Sequence, residues 1–365
     1  MPILTDPRLP TPDPSMNSYS RPNPKIDPSR GLGVRPDGSP DDNDRVEIGP
    51  TALAFSEWEA LNITAPNLER MRSARLDRLC AEIRKRDLGG VLLFDPLNIR
   101  YANDSSNMQL WTAHNPSRAC FVAPDGYMVL WDFHGCDHLS AYLPLIDEVR
   151  HGAGFFYFLA DQVKDLMNKH SGGNTRLAID KIEVAGAHAI EALGIEIKSG
   201  QEVLEHSRLI KGVDEINALR CAVATTEITC DAMHAALQPG MTEVELWSIM
   251  HAENIKRGGE WIETRILSSG PRTNPWMQEA GPRVIQDGEL LAFDTDLIGP
   301  YGMCADLSRT WLVGDGNGSA EQKNLYQFAH EHILTNRELL RPWTQTKTRV
   351  RRSALRRDDA WRRAL

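Results

Sequence analysis

One stretch constrains this chain more than any other: Glu289-Leu-Leu-Ala-Phe-Asp294-Thr-Asp296-Leu-Ile-Gly299-Pro-Tyr-Gly302-Met-Cys-Ala-Asp306-Leu-Ser-Arg309-Thr310-Trp311. It reads as a β-hairpin. Leu290 to Asp296 is a short apolar run, Gly299-Pro300-Tyr301-Gly302 carries turn chemistry, and Met303 to Val313 resumes as a strand. Side chains alternate faces along a strand, so the spacing predicts Asp294 and Asp296 on one face. On the return strand Asp306 shares a face with Cys304, Ser308 and Thr310, and folding the hairpin brings a third carboxylate beside the first two. Carboxylates gathered on a buried face repel one another and lose hydration, so positive charge must sit among them. One or two divalent metal ions answer that need, because hard and borderline cations prefer carboxylate oxygens. The competing reading is a polar hairpin tip, and Asp294 directly after Leu-Leu-Ala-Phe argues for burial instead.

A chain of 365 residues makes one large or two medium domains and a sizeable core. Its net charge of −9 points to no nucleic acid and no anionic membrane as partner. The six cysteines (Cys80, Cys120, Cys136, Cys221, Cys230 and Cys304) are scattered without a C-x-x-C pair, which is expected of reduced thiols in a cytoplasmic protein. No apolar run approaches a membrane span, and the N-terminus lacks an apolar signal core.

Residues 1–50 are rich in Pro, Asp, Ser, Asn and Gly and are expected to be largely irregular, and Met16 is as good a start as Met1. Thr51 to Ala60 reads as a helix, and Asn67 caps a second one whose Leu68, Met71, Leu76, Leu79 and Ile83 recur at helical spacing. Strands follow at Val91–Phe94, Cys120–Ala123, Tyr127–Trp131 and Leu177–Asp180, with a helix from Ala185 to Leu193. Asn98–Tyr101 and Asn107–Trp111 read as loops that offer a binding surface or only structure. A second domain begins near Lys211, with Asp214 placed to cap a long helix. Pro239-Gly-Met-Thr242-Glu243 ends that helix and starts another, which reaches about Arg257. Trp261–Leu267 reads as a strand, Ser269–Trp276 as a loop, and residues 321–340 as a helix. His330 and His332, two positions apart on that helix, face different ways and do not share a metal. From Trp343 to Leu365 the chain turns arginine-rich and loses apolar periodicity.

These residues resemble a known family. Lys211…Asp214-Glu215-Ile216…Leu219-Arg220, Pro239-Gly240…Thr242-Glu243, Ser269-Gly270 and Asp296…Asp306-Leu-Ser-Arg309-Thr310 are similar to the creatinase, prolidase and methionine-aminopeptidase family, with a slightly unusual Asp-to-Asp gap. Within it, Lys25–Arg30, Phe94–Tyr101, Asn107–Trp111, His251-Ala-Glu-Asn-Ile, Arg257–Arg265, Ser269–Trp276 and Phe293–Tyr301 look most like the dimethylsulfoniopropionate lyases. The resemblance implies an α/β chain: a creatinase-like N-terminal domain over residues 51–205, then a pita-bread (α+β) metal-binding domain over residues 206–342. It stops at Arg341-Pro342, before the glycine-rich histidine strand and the late glutamates of the family's metal site. The domain is therefore expected to be incomplete, the tail over residues 343–365 to be unrelated, and the chain as written not to be a competent lyase.

The activity implied is metal-dependent C–S cleavage of a small sulfonium substrate to dimethyl sulfide and acrylate. Asp294, Asp296 and Asp306 would hold iron, manganese or zinc, and Tyr101, Trp111 and Trp276 are the aromatic candidates for the sulfonium. No residue is assigned as the base. The alternatives are a metallopeptidase for Xaa-Pro bonds, disfavoured by Met277 where many peptidases place a histidine, and a non-catalytic relic of the fold. The resemblance also implies a homodimer when the protein is full length.

Overall fold

The computed structural model describes residues 49–136, 139–140, 143–152 and 159–340, and the backbone of residues 33–34, 40–41 and 156–158. The Lys25–Arg30 motif, nearly all of the proline-rich stretch, and the basic tail over residues 343–365 lie outside the described residues. The chain divides into two compact units. The first holds the described residues of Met1–Ala232 with Ile249–Glu263 and Thr295–Leu307; the second holds Met233–Ser248, Thr264–Asp294 and the described residues of Ser308–Leu365.

In the first unit a two-residue ladder pairs β1 (Gly33–Val34) with β2 (Pro40–Asp41). Helices α1 (Ala52–Ala60) and α2 (Leu68–Lys85) start at side-chain caps, Thr51 Oγ1 accepting from the Ala54 amide and Asn67 Oδ1 from the Arg70 amide. Next come β3 (Gly90–Leu93), α3 (Pro96–Asn103), α4 (Gln109–His114), β4 (Ala119–Val122), β5 (Met128–Asp132), β6 (Glu148–His151) and α5 (Phe156–His170). Then follow β7 (Arg176–Ile179), α6 (Val184–Glu191), β8 (Glu196–Ser199) and α7 (Gly200–Leu209). The strands form one mixed sheet in the order β6-β5-β4-β3-β7-β8, with β3 antiparallel to β4 and parallel to β7.

Both faces of this sheet are covered. Leu92, Phe94, Phe121 and Trp131 pack with Val163 and Leu166 of α5, while Val91, Leu93 and Val122 pack with Leu79 and Ile83 of α2 and Val203 of α7. Two segments expected as loops are helical. Asp95 Oδ1 accepts from the Leu97 and Asn98 amides at 2.9 and 3.2 Å and, with Pro96 in the first turn, starts α3 across Asn98–Tyr101. The Asn107–Trp111 segment runs into α4.

Helices α8 (Val213–Ala236) and α9 (Glu243–Lys256) have residues in both units. Asp214 does not serve α8 as a cap. It is the second residue of the helix, and its carboxylate accepts from the Asn67 amide and from Arg70 at the start of α2.

The second unit is built on an antiparallel sheet in the order β13-β10-β9, from β9 (Leu267–Ser269), β10 (Leu290–Asp294) and β13 (Ser308–Leu312). The expected strand over Trp261–Leu267 shortens to β9, and before it there are only isolated bridges at Ile262 and Ile266. Fully buried Glu243 organises this unit. It accepts from the Ser269 amide and hydroxyl at 2.9 and 2.8 Å, from the Gly281 amide at 3.0 Å, and from Arg272. Helix α10 (Ala320–Arg337) opens with a capping box between Ser319 and Gln322 and carries exposed His330 and half-buried His332.

Candidate functional site

The carboxylate hairpin is two ladders in one register. In the second unit β10 pairs with β13, Ala292 opposite Thr310 and Asp294 opposite Ser308. In the first unit β11 (Leu297–Ile298) pairs with β12 (Cys304–Ala305), Leu297 opposite Ala305. The interruption takes the same number of residues from each arm, Thr295 and Asp296 on one and Asp306 and Leu307 on the other. Buried Thr295 causes it: its hydroxyl donates to the Ala305 carbonyl at 2.8 Å and accepts from the Leu307 amide at 2.8 Å, replacing a backbone rung with a side chain. The strand expected to continue to Asp296 therefore ends at Asp294, and Asp296 takes a left-handed φ of 39°. Such a φ is costly for a non-glycine residue and is tolerated best by Asp and Asn.

Asp296 and Asp306 are the residues that this register would pair across the break. Asp296 is half-buried, its carbonyl taking the Glu263 amide at 2.9 Å, and Asp306 is exposed. Asp294, in the second unit, is half-buried and accepts from the Ser308 hydroxyl at 3.0 Å. All three offer hard oxygen donors, which suit a hard or borderline divalent cation in kind. Among the described residues no group of three or more His, Cys, Asp or Glu forms a metal-holding cluster, so no coordination geometry follows for them.

The aromatic candidates differ in how far they are engaged. Tyr101 is buried; its hydroxyl donates to the Ser207 carbonyl at 2.8 Å and its ring lies 5.3 Å from the Arg75 guanidinium, while burial pushes its phenol pKa up. Trp111, in α4 of the first unit, is 44% exposed with its ring 5.5 Å from that of Phe133. Trp276, in the second unit, is 40% exposed and follows the loop that Glu243 holds through Arg272.

Sequence reading missed a buried polar chain in the first unit. Arg100 of α3 donates to Glu260 Oε2 at 2.5 Å, and Gln109 Nε2 reaches the same oxygen at 3.3 Å. A Cβ at position 302 would strike the Arg100 guanidinium, so Gly302, at a φ of 65°, lets that group lie against the hairpin tip. Arg72 pairs with Asp104 at 2.9 Å and Arg118 with Asp132 at 3.0 Å, all four buried. Isolated charges such as Arg100 and Glu260 look like surface residues in a sequence. The available signal was that both fall inside the motifs Phe94–Tyr101 and Arg257–Arg265.

The chain as a whole is similar to known proteins. Metallopeptidase family M24 matches residues 217–356, a span that runs past Pro342 into the arginine-rich tail. The dimethylsulfoniopropionate lyase DddP of Roseovarius nubinhibens is 53% identical over 90% of this chain and 77% of its own length. The protein of the same name from Roseobacter denitrificans is 48% identical over the same shares. An Escherichia coli aminopeptidase P structure superposes with a TM-score of 0.61 over 77% of this chain and 71% of that one, with 18% identity. The mixed α/β architecture is the pita-bread fold of these structures. With half its residues shared with the DddP proteins over nine-tenths of its length, the chain belongs to metallopeptidase family M24.

Proposed function

We propose that the protein is a metal-dependent lyase that cleaves dimethylsulfoniopropionate into dimethyl sulfide and acrylate. The observation that carries this reading is the 53% identity to a dimethylsulfoniopropionate lyase across 90% of the chain. In the reaction a base takes a proton from the carbon beside the substrate carboxylate. The freed pair becomes the C=C bond, and the C–S pair leaves with sulfur as neutral dimethyl sulfide. Asp294, Asp296 and Asp306 are the proposed donors to iron, manganese or zinc. When bound, such a cation supplies positive charge where the substrate carboxylate accumulates electron density. Trp111 and Trp276 are the exposed indoles available to a sulfonium; Tyr101 has its hydroxyl and its Arg75 contact already committed.

The reading extends to a cytoplasmic homodimer. Six cysteines scattered without a C-x-x-C pair support a reducing compartment, and among the described residues no helix is long and apolar enough to cross a membrane. Light scattering decides the oligomer, a single-chain mass counting against it. The chemistry is tested by loading the 365-residue protein with each metal and measuring dimethyl sulfide in the headspace alongside Xaa-Pro dipeptide hydrolysis. Dimethyl sulfide release would support the lyase reading and overturn the sequence-based expectation that the chain as written is not a competent lyase. Peptide cleavage without it would make the protein a peptidase, and neither activity would mark the chain as a non-catalytic relic.

A further inference from the structure

A cavity of about 620 Å³ opens within the first unit, a size suited to a small molecule. Its lining includes Trp111, Trp261, Met108 and Leu110, and its polar part includes Gln109 and Glu260. Glu260 is the only charged side chain on that lining, and its side chain is 1% exposed. Arg100 and Gln109 both donate to Oε2, leaving Oε1 buried without a hydrogen-bond partner, and Oε1 of Gln109 is orphaned in the same way. An unpaired buried acceptor is costly, and here two acceptors belong to one lining. Indole rings beside them attract positive charge, and the Met108 and Leu110 side chains suit apolar substituents.

Acceptors, indoles and thioether without a cation on the lining define the complement: a small positive group wrapped in methyls. We propose that this cavity binds an organic onium cation, a sulfonium or a quaternary ammonium, with Glu260 supplying charge and Trp111 and Trp261 the aromatic wall. Arg72, Asp104, Arg100 and Glu260 cancel in charge, so recognition acts at contact and not at a distance. The proposal rests on the lyase reading only in letting the onium be the substrate's sulfonium.

Calorimetric titration of the metal-free full chain with choline tests it, against the uncharged isostere in which tert-butyl replaces trimethylammonium. Choline is expected to bind about tenfold more tightly than the isostere, and Trp111→Leu to weaken choline about fivefold. Trp111 is half exposed, so its replacement leaves the fold intact, which a thermal melt checks; Glu260→Gln removes the negative charge facing Arg100 and serves only as a second variant. Equal binding of the isostere, or undiminished choline binding by the Trp111→Leu protein, overturns the assignment. So does a variant that changes only the oligomer mass, which would make the rim a contact between copies. Because binding is read without metal and without turnover, its failure is distinct from failure of dimethyl sulfide release.

Discussion

Thr295 shows how one hydroxyl sets a hairpin's shape. It is buried and makes two hydrogen bonds of 2.8 Å to the opposite arm, so Thr295→Val leaves the Ala305 carbonyl and Leu307 amide without that partner. The expected cost is about 1–3 kcal/mol, seen as a lower thermal midpoint, with Thr295→Ser losing less. A valine variant that melts with the wild type would show that backbone rungs close the gap unaided. The aspartates make a separate prediction: Asp296→Asn and Asp306→Asn should weaken manganese binding by calorimetry at least tenfold while leaving the melt of the metal-free protein nearly unchanged. Unaltered affinity in both would remove them from the metal site. The sequence displayed these aspartates and their spacing. It did not display the break, because a threonine in an apolar run is an ordinary strand residue until its partners are known.

Elements are held by a few buried carboxylates. Glu243 joins the start of α9 to β9 and to Gly281 and Arg272, so Glu243→Ala strands several donors and is expected to cost about 3 kcal/mol. A chemical-denaturation midpoint within error of wild type would refute that role. Asp214 ties α8 to α2, and the Arg70 hydrogen bond holds its carboxyl below the usual 3.8. A depressed pKa contributes stability that is full above 3.8 and fades as pH falls through the lowered value. The gap in melting temperature between wild type and Asp214→Asn should therefore be present at neutral pH and close in strong acid; a gap independent of pH would assign the loss to packing. Strands β3, β4, β5 and β7 were legible to within one residue at either end because a sheet covered on both faces needs unbroken apolar runs. β6 and β8 escaped because Glu148–His151 and Glu196–Ser199 are polar edge strands.

At the scale of the whole molecule, we propose that residues 51–205 fold as a domain distinct from residues 206–342. The segment Ile210–Gly212 between α7 and α8 supports this, since it opens on exposed Ile210 directly after exposed Leu209 at the end of α7. Limited proteolysis is expected to cut there first; protection of that segment with cleavage inside β3 would undo the boundary. Composition and periodicity made the mixed α/β character legible. The route of the chain through two compact units was not, because it depends on which segments meet far apart in sequence.

The shared register of the two ladders has a consequence for length variation. Because the break takes equally from both arms, residues inserted beyond Ile298 and before Cys304 lengthen only the tip and leave Asp296 matched to Asp306. One residue added within either arm would instead shift the match and turn every later side chain to the opposite face. Relatives of this protein should therefore differ in hairpin length at the tip, and an Asp-to-Asp interval that looks irregular in sequence is free to vary without moving the carboxylates.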